Sequence, residues 1–247
     1  MARSNSVRLY VGDELTPGRA LALDREAAHY LGNVMRRTAG DPVLLFNGRD
    51  GEWRAEIGEV GRKAVTLQVR EQTRPQSVPA DLWLLFAAVK RGPTDLIVQK
   101  ATELGVSEIH IVTTERSQSE RLRPERLHVI AREAAEQSRR LDLPGITPPE
   151  KLADLLDRWP AERALIFCDE GGTAPAALDG MAAAARKDSP AAVLIGPEGG
   201  FSEAERARIA AHPAALSVSL GPLILRAETA AIAALVLWQA ARGDWRA

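Results

Sequence analysis

Between Ala191 and Trp238 the chain passes twice from a short apolar run through a glycine-proline break into a helix. This double unit narrows the folds open to the chain more than any other stretch. Ala191–Ile195 contains no polar residue, which predicts a strand buried on both faces. Gly196-Pro197-Glu198-Gly199-Gly200 ends it, and Ser202 with Glu205 has the spacing of a capping box that opens a helix. Ser217–Leu220 predicts a second short strand and Gly221-Pro222 a second break. Leu223-Ile224-Leu225-Arg226-Ala227-Glu228-Thr229 then leads into a last helix. A glycine turn between a buried strand and a helix N-terminus lets backbone N–H groups approach a ligand closely. Taken singly, each loop reads as an ordinary strand-to-helix turn. Neither carries G-x-G-x-x-G or the lysine of a phosphate loop, so the nucleotide fingerprints do not apply.

The alternation extends upstream. Leu82–Val89 reads as an apolar strand, Thr94–Leu104 as a helix closed by Gly105, and Glu108–Thr113 as the next strand. Pro124–Arg140 reads as a long helix and Leu165–Cys168 as a short strand. Strands alternating with helices predict an α/β fold with a mostly parallel sheet covered on both faces. Ligands of such sheets sit at the carboxyl ends of the strands, where both glycine loops fall. The first part of the chain differs. Arg8–Val11 suits an edge strand, Asp24 an N-cap, and Ala27, Leu31, Val34 and Met35 a helix stopped by Gly40. Pro42–Phe46, the turn Asn47-Gly48-Arg49-Asp50-Gly51, Glu52–Val60, Gly61 and Ala64–Val69 suggest a small β-barrel. Gln72–Ala80, polar with two prolines, reads as a linker, giving domains over 1–75 and 76–247.

Charge gives no general nucleic-acid signature, since the net charge is −1. Residues 1–75 hold 12 basic against 10 acidic side chains and the rest hold 20 against 23, so any nucleic-acid binding must rest on local patches. Cys168 is the only cysteine, and His29, His110, His128 and His212 are scattered, so neither a disulfide nor a metal site is expected. MARSNSVRLYV lacks the apolar core of a signal peptide, and Ala230–Leu237 is too short to span a bilayer. The cytoplasm is the expected compartment.

GPEGG followed about twenty residues later by LGPLILRAETA resembles the RsmE family of SPOUT-class methyltransferases. VKRGPTDLIVQKATELGVSEIH resembles that family's KxxxxDxxxxKxxELG segment, EAAEQSRR its EAxEQSxR segment, and HYLGNVMRRTAGDPVLLFNGRDGEW its PUA-like N-terminal barrel. The resemblance implies a trefoil-knotted C-terminal domain that binds S-adenosylmethionine and methylates N3 of a uridine in 16S rRNA within the 30S subunit. It makes Cys168-Asp169-Glu170 the first of three cofactor loops. Ile195 to Gly200 (Ile195, Gly196, Pro197, Glu198, Gly199, Gly200) is the second, and Leu220, Gly221, Leu223, Ile224, Leu225 and Arg226 form the third.

A sulfonium methyl is already electrophilic, so the protein mainly aligns it with its acceptor. N3 of uracil must first lose a proton, which a carboxylate can take while a guanidinium stabilises charge on the flanking carbonyl oxygens. Arg226 is the candidate guanidinium. Glu198 and Glu228 are candidate bases, although either can instead cap backbone N–H groups. The RNA-contact candidates are Arg8, Arg36, Arg37, Lys90, Gln137 and Arg140. Arg36 and Arg37 also suit a helix C-terminus by charge, and Lys100 with Glu103 has the spacing of a surface ion pair. Glu133, Gln137 and Arg140 are expected on one helical face. A ribose 2′-O-methyltransferase and a non-catalytic RNA-binding module are the rival readings. The last helix, Ala230–Ala241, is apolar nearly all round. Ile232, Leu235, Val236 and Gln239 are expected on one side and Ala231, Ala234 and Leu237 on the other, so a homodimer is expected to cover it.

Overall fold

The computed structural model describes residues 7–23, 25–60, 65–117, 122–171, 174–184 and 189–246. Its contacts separate into two units, one of residues 1–78 with 135–143 and one of residues 79–134 with 144–247.

In the first unit, β1 (Val7–Tyr10), β2 (Ala20–Ala22), β3 (Pro42–Phe46), β4 (Glu52–Val60) and β5 (Val65–Arg74) form a sheet in the order β1-β3-β4-β5-β2. β1 runs parallel to β3, and the other pairings are antiparallel. Alternate residues of all five strands, among them Leu9, Leu21, Leu45, Ile57 and Leu67, meet in one core. The pairing leaves β1 and β2 as edges, so hydrogen bonds do not close the expected barrel into a ring among the described residues. β5 continues to Arg74, which takes the first three residues of the expected linker into the sheet. At the hairpin before β4 the Asn47 side chain accepts from the backbone N–H of Arg49 and Asp50, while Gly48 and Gly51 supply φ of +82° and +79°.

The helix expected after Asp24 is short. α1 (Arg25–His29) passes into a π-helical turn over Tyr30–Val34, with Met35 N–H donating to the Tyr30 carbonyl at 2.9 Å. This wider turn breaks the 3.6-residue spacing: Leu31 is buried, and Val34 is 58% exposed. Asp24, Gly61 and Ala64 lie outside the described residues.

The second unit alternates strand and helix: β6 (Leu82–Ala87), α2 (Arg91–Glu103), β7 (Glu108–Thr113), α3 (Pro124–Ser138), β8 (Gly145–Lys151), α4 (Leu152–Asp157) and β9 (Ala164–Cys168). α5 (Ala177–Ala184), β10 (Ala191–Ile195), α6 (Glu203–Ala210), β11 (Ala215–Val218) and α7 (Ala227–Ala241) complete it. All six strands are parallel, in the order β11-β9-β10-β6-β7-β8. Alternation along β6 sends Leu84 and Phe86 to one core, with α2, α3, α5 and α7, and sends Leu85 and Ala87 to another, with α4 and α6. β10 is buried along its whole length, as its unbroken apolar run predicts.

Two expectations about helices need correcting. α3 ends at Ser138, and Arg139 adopts φ +63°, so Arg140 leaves the helical face expected to carry Glu133 and Gln137. On α7, Leu235 and Gln239 lie on the buried side together with Ala231 and Ala234, not opposite them. The Gln239 amide accepts from Asp244 N–H at 2.9 Å and donates to the Leu104 carbonyl at 2.6 Å, the latter a contact across 135 residues that helical periodicity cannot show.

Candidate active site

The carboxyl ends of β9, β10 and β11 open into one cavity of about 340 Å³. Cys168, Asp169 and Glu170 come from the end of β9. Ile195, Gly196, Pro197, Glu198, Gly199 and Gly200 come from the end of β10, and Leu220, Gly221, Leu223, Ile224 and Leu225 from the loop after β11. Pro222, Ala227 and Ala230, which were not among the cofactor candidates, complete the wall. Arg226 and Glu228 are not on it. Arg226 is exposed at the N-cap of α7 between two lining residues, and Glu228 lies in that helix's first turn.

The glycines are required by shape at two positions. A Cβ on Gly196 would stand 2.9 Å from the Phe201 ring. One on Gly200, where φ is +66°, would stand 2.5 Å from Glu170 Oε1. Behind this loop the capping box of α6 is formed, with Glu205 N–H donating to Ser202 Oγ at 3.3 Å and Ser202 N–H donating to Glu205 Oε2 at 2.9 Å. Glu205 Oε1 also accepts the N–H of Glu115 at 2.8 Å, and Arg116 donates to the Gly199 carbonyl at 3.0 Å. The turn after β7 is therefore fastened to the glycine loop after β10. Arg206 of α6 reaches Asp169 at 2.5 Å and Glu170 at 3.5 Å. Neither Arg116 nor Arg206 was singled out from sequence, because a single arginine in a loop or on a helix carries no pattern. Burial pushes the Cys168 thiol up to about 12, which keeps it protonated and excludes it as a nucleophile near neutral pH.

Among the RNA-contact candidates, Lys90, Arg36 and Gln137 are exposed and Arg37 is partly so. Arg8 is not available to phosphate. Its Nε donates to Glu52 at 2.8 Å, and its two terminal nitrogens donate to the carbonyls of Ala135, Glu136 and Arg140 at 2.8–3.0 Å. The guanidinium also lies 4.5 Å from the Phe46 ring centroid. Burial lowers its pKa from the usual guanidinium value while Glu52 pulls the other way. The side chain ties up carbonyls at the end of a helix, a structural task. Arg140 is likewise committed, through Nε and a terminal nitrogen to the two oxygens of Asp142 at 2.9 Å each. Lys100 and Glu103 form the expected ion pair at 2.8 Å. Among the described residues no cluster of three His, Cys, Asp or Glu side chains is placed to hold a metal ion, and no helix is long and apolar enough to cross a membrane.

A family profile described as an RNA methyltransferase domain matches residues 76–239, and one described as an RNA methyltransferase PUA domain matches residues 23–70. The ribosomal RNA small subunit methyltransferase E of Rickettsia conorii is 31% identical over 92% of this chain and 93% of its own length. The chain belongs to the RsmE family. The Bacillus subtilis RsmE protein is 30% identical over 85% of this chain and 86% of its own. The crystal structure of the Neisseria gonorrhoeae RsmE protein bound to S-adenosyl methionine superposes with a TM-score of 0.86 at 26% identity. That match covers 98% of this chain and 100% of that one. A Legionella pneumophila protein solved with bound SAM gives a TM-score of 0.87 at 32% identity, with the same coverage.

The cavity suits the cofactor of those RsmE-like structures. Leu220, Leu223, Ile224 and Leu225 offer an apolar wall for a purine ring. Asp169, Glu170 and Glu198 offer carboxylates to a ribose diol and to a cationic amine and sulfonium. At Gly196 and Gly200 the absence of a Cβ lets the loop pack against Phe201 and Glu170 while its backbone lines the cavity.

Proposed function

We propose that this chain transfers the methyl group of S-adenosylmethionine to N3 of a uridine in the 16S rRNA of the 30S subunit. The observation that carries the reading is the single cavity built from three loops that converge from separate strands, in a chain of the RsmE family. In this reading residues 1–75 hold RNA, residues 76–247 carry the reaction, and the protein works in the cytoplasm. The segment 219–226 threads a trefoil knot. In support, β11 is the sheet edge, yet α7, which follows it, packs on β10 and β6 in the middle.

When bound, S-adenosylmethionine supplies an electrophilic methyl group. The chain's own part is to orient and to hold a proton. Glu198, exposed on the cavity wall, is the better-placed of the two carboxylates to take the N3 proton. Glu228, off the wall and beside the first-turn N–H groups of α7, serves that helix's dipole. Arg226 stands next to the wall with its guanidinium outward, suited to the carbonyl oxygens that flank N3. Methyl-labelled cofactor incubated with small subunits from a strain lacking the homologous enzyme tests the reaction. Label on uridine N3 supports it, label on a ribose 2′-oxygen moves the protein to the other chemistry, and RNA binding without cofactor heat in calorimetry favours the non-catalytic module.

The working unit is a homodimer. α7 keeps Ile232 and Val236 half-exposed on the side away from its buried stripe, and Leu223 and Ile224 are 77% and 89% exposed in the loop before it. Light scattering should give about twice 26.7 kDa, and Val236→Glu should lower both mass and activity. A fully active monomer at nanomolar concentration rules the dimer out.

A further inference from the structure

A second cavity, of about 440 Å³, opens at the carboxyl ends of β7 and β8 beside the start of α6. Its size falls within the range of small-ligand sites, ~300–1,000 Å³. Its position is at the strand edge where ligands of parallel sheets gather. Leu152, Leu156 and Ile209, all buried, give it an apolar floor. Thr114 lines it, and the Thr114 hydroxyl is buried with no hydrogen-bond partner among the described residues. Lys151 stands exposed at the rim, its ammonium in no ion pair among the described residues. Arg208 is already taken by Asp157 and the Ala153 carbonyl. The apolar floor suits a flat ring, the orphaned hydroxyl a polar ring edge, and the free ammonium an anion just outside.

This cavity backs onto the first one. Ser202 lines it while Gly200, two residues earlier, lines the cofactor cavity, so at most about 7 Å of chain separates the two walls. We propose that the second cavity takes an unstacked nucleobase of the RNA strand that carries the target nucleotide. The base lies on Leu152, Leu156 and Ile209 with an edge group bonded to the Thr114 hydroxyl, and a flanking phosphate is at Lys151. Sequence-specific RNA readers work on single strands whose bases are splayed out and bonded at their edges. The proposal rests on the reading of this chain as an RNA methyltransferase and adds a second nucleotide to its footprint.

Three variants test it: Ala153→Trp fills the cavity from the first turn of α4, Thr114→Val removes the hydroxyl at equal size, and Lys151→Gln removes the charge. Each is measured for RNA affinity by filter binding at several salt concentrations, for the KM of small-subunit RNA in methyl transfer, and for S-adenosylmethionine affinity by calorimetry. The expected result is a rise of about tenfold in RNA Kd and KM for A153W and about threefold for T114V. K151Q should lose about 0.7 of the salt slope, one single-strand phosphate contact. Cofactor affinity should stay within twofold in all three. RNA affinity unchanged in variants that still bind the cofactor overturns the proposal. If A153W loses cofactor binding through misfolding, the two near-isosteric variants decide. RNA affinity unchanged together with thermal stabilisation by uridine or adenosine monophosphate assigns the cavity to a free nucleotide and also overturns it. A wild-type chain that binds RNA but transfers no methyl group overturns the methyltransferase reading instead, and the binding comparison still decides the cavity.

Discussion

Arg206 holds Asp169 at 2.5 Å, so the helix that follows the loop after β10 fixes an acid at the end of β9. Both side chains are partly shielded, at 32% and 14% exposure. Arg206→Met should raise the Kd for S-adenosylmethionine about tenfold, because Asp169 and Glu170 are left facing each other without a counter-charge. A pair this exposed contributes about 1 kcal/mol or less to stability, which for a chain of this length lowers Tm by ~4 °C at most. Calorimetry and a thermal melt read the two effects separately, and unchanged affinity would show that the loop alone places the acids.

Two glycines should respond oppositely to alanine. Gly200 has φ +66° and its Cβ would strike Glu170, so Gly200→Ala should cost more than tenfold in cofactor affinity. Gly92 lies in α2 with nothing within 4 Å of its Cβ, and Gly92→Ala should stabilise the fold by about 0.5–1 kcal/mol. Chemical denaturation and cofactor titration of both variants check the pair.

Arg226 and Glu198 should act on turnover. Arg226→Ala should lower kcat by roughly 10²-fold, the scale of one lost charge-stabilising donor. The cofactor Kd should move less than twofold, since its side chain is off the cavity wall. Glu198→Gln should lower kcat by about 10² or more as a lost general base, and Glu228→Gln by less than threefold. Equal losses at both glutamates would reverse the assignment.

The arginines of the first unit should separate into two kinds. Arg8→Met removes one member of a buried pair whose side chains are each 7% exposed, and should destabilise the protein by about 3–5 kcal/mol. Arg36→Ala, at an exposed side chain, should leave stability nearly unchanged and reduce the salt slope of RNA binding by roughly 0.7–0.9 if that contact is lost. Denaturant midpoints and filter binding distinguish them.

The Cys168 thiol gives a pH signature. Its pKa stands at about 12 in the folded chain against 9.0 for the unperturbed thiol, so above pH 9 the unfolded state releases a proton that the folded state keeps. Stability contributed by this group is complete below pH 9 and falls as pH rises toward 12, by at most about 1.4 kcal/mol per pH unit. Cys168→Ala should remove that part of the slope in denaturation at pH 8.5 and 10.5, and iodoacetamide should leave the folded wild-type thiol unmodified at pH 8.

How well the sequence predicted each element depended on how locally that element is determined. β7 and β10 coincide with the runs read from the sequence, and β10 in particular, covered on both faces, leaves an unbroken apolar signature. β8 was not read at all, since Pro148 and Pro149 argue against a strand and only an edge position accommodates them. The loops after β10 and β11 were legible because glycine and proline mark where backbone must bend and approach, whereas the loop after β9 was pointed to by the family resemblance. Arg8 was misread because the carbonyls that bury it lie 127 residues and more away in sequence, and nothing in a strand's period-2 pattern reports that. Ala227 and Ala230, which close the cavity, look like any alanines of a good helix.

Glu205 lines the second cavity and spends one oxygen on Ser202 at the start of α6, two residues past a wall residue of the first cavity, and the other on the turn after β7. A ligand that shifts this carboxylate from either side alters the other side's fit. Such linkage is reciprocal. If S-adenosylmethionine strengthens RNA binding by some factor, RNA strengthens S-adenosylmethionine binding by that same factor. Glu205→Ala, which cuts both bonds, should bring that factor toward one, leaving two ligands that bind without regard to each other.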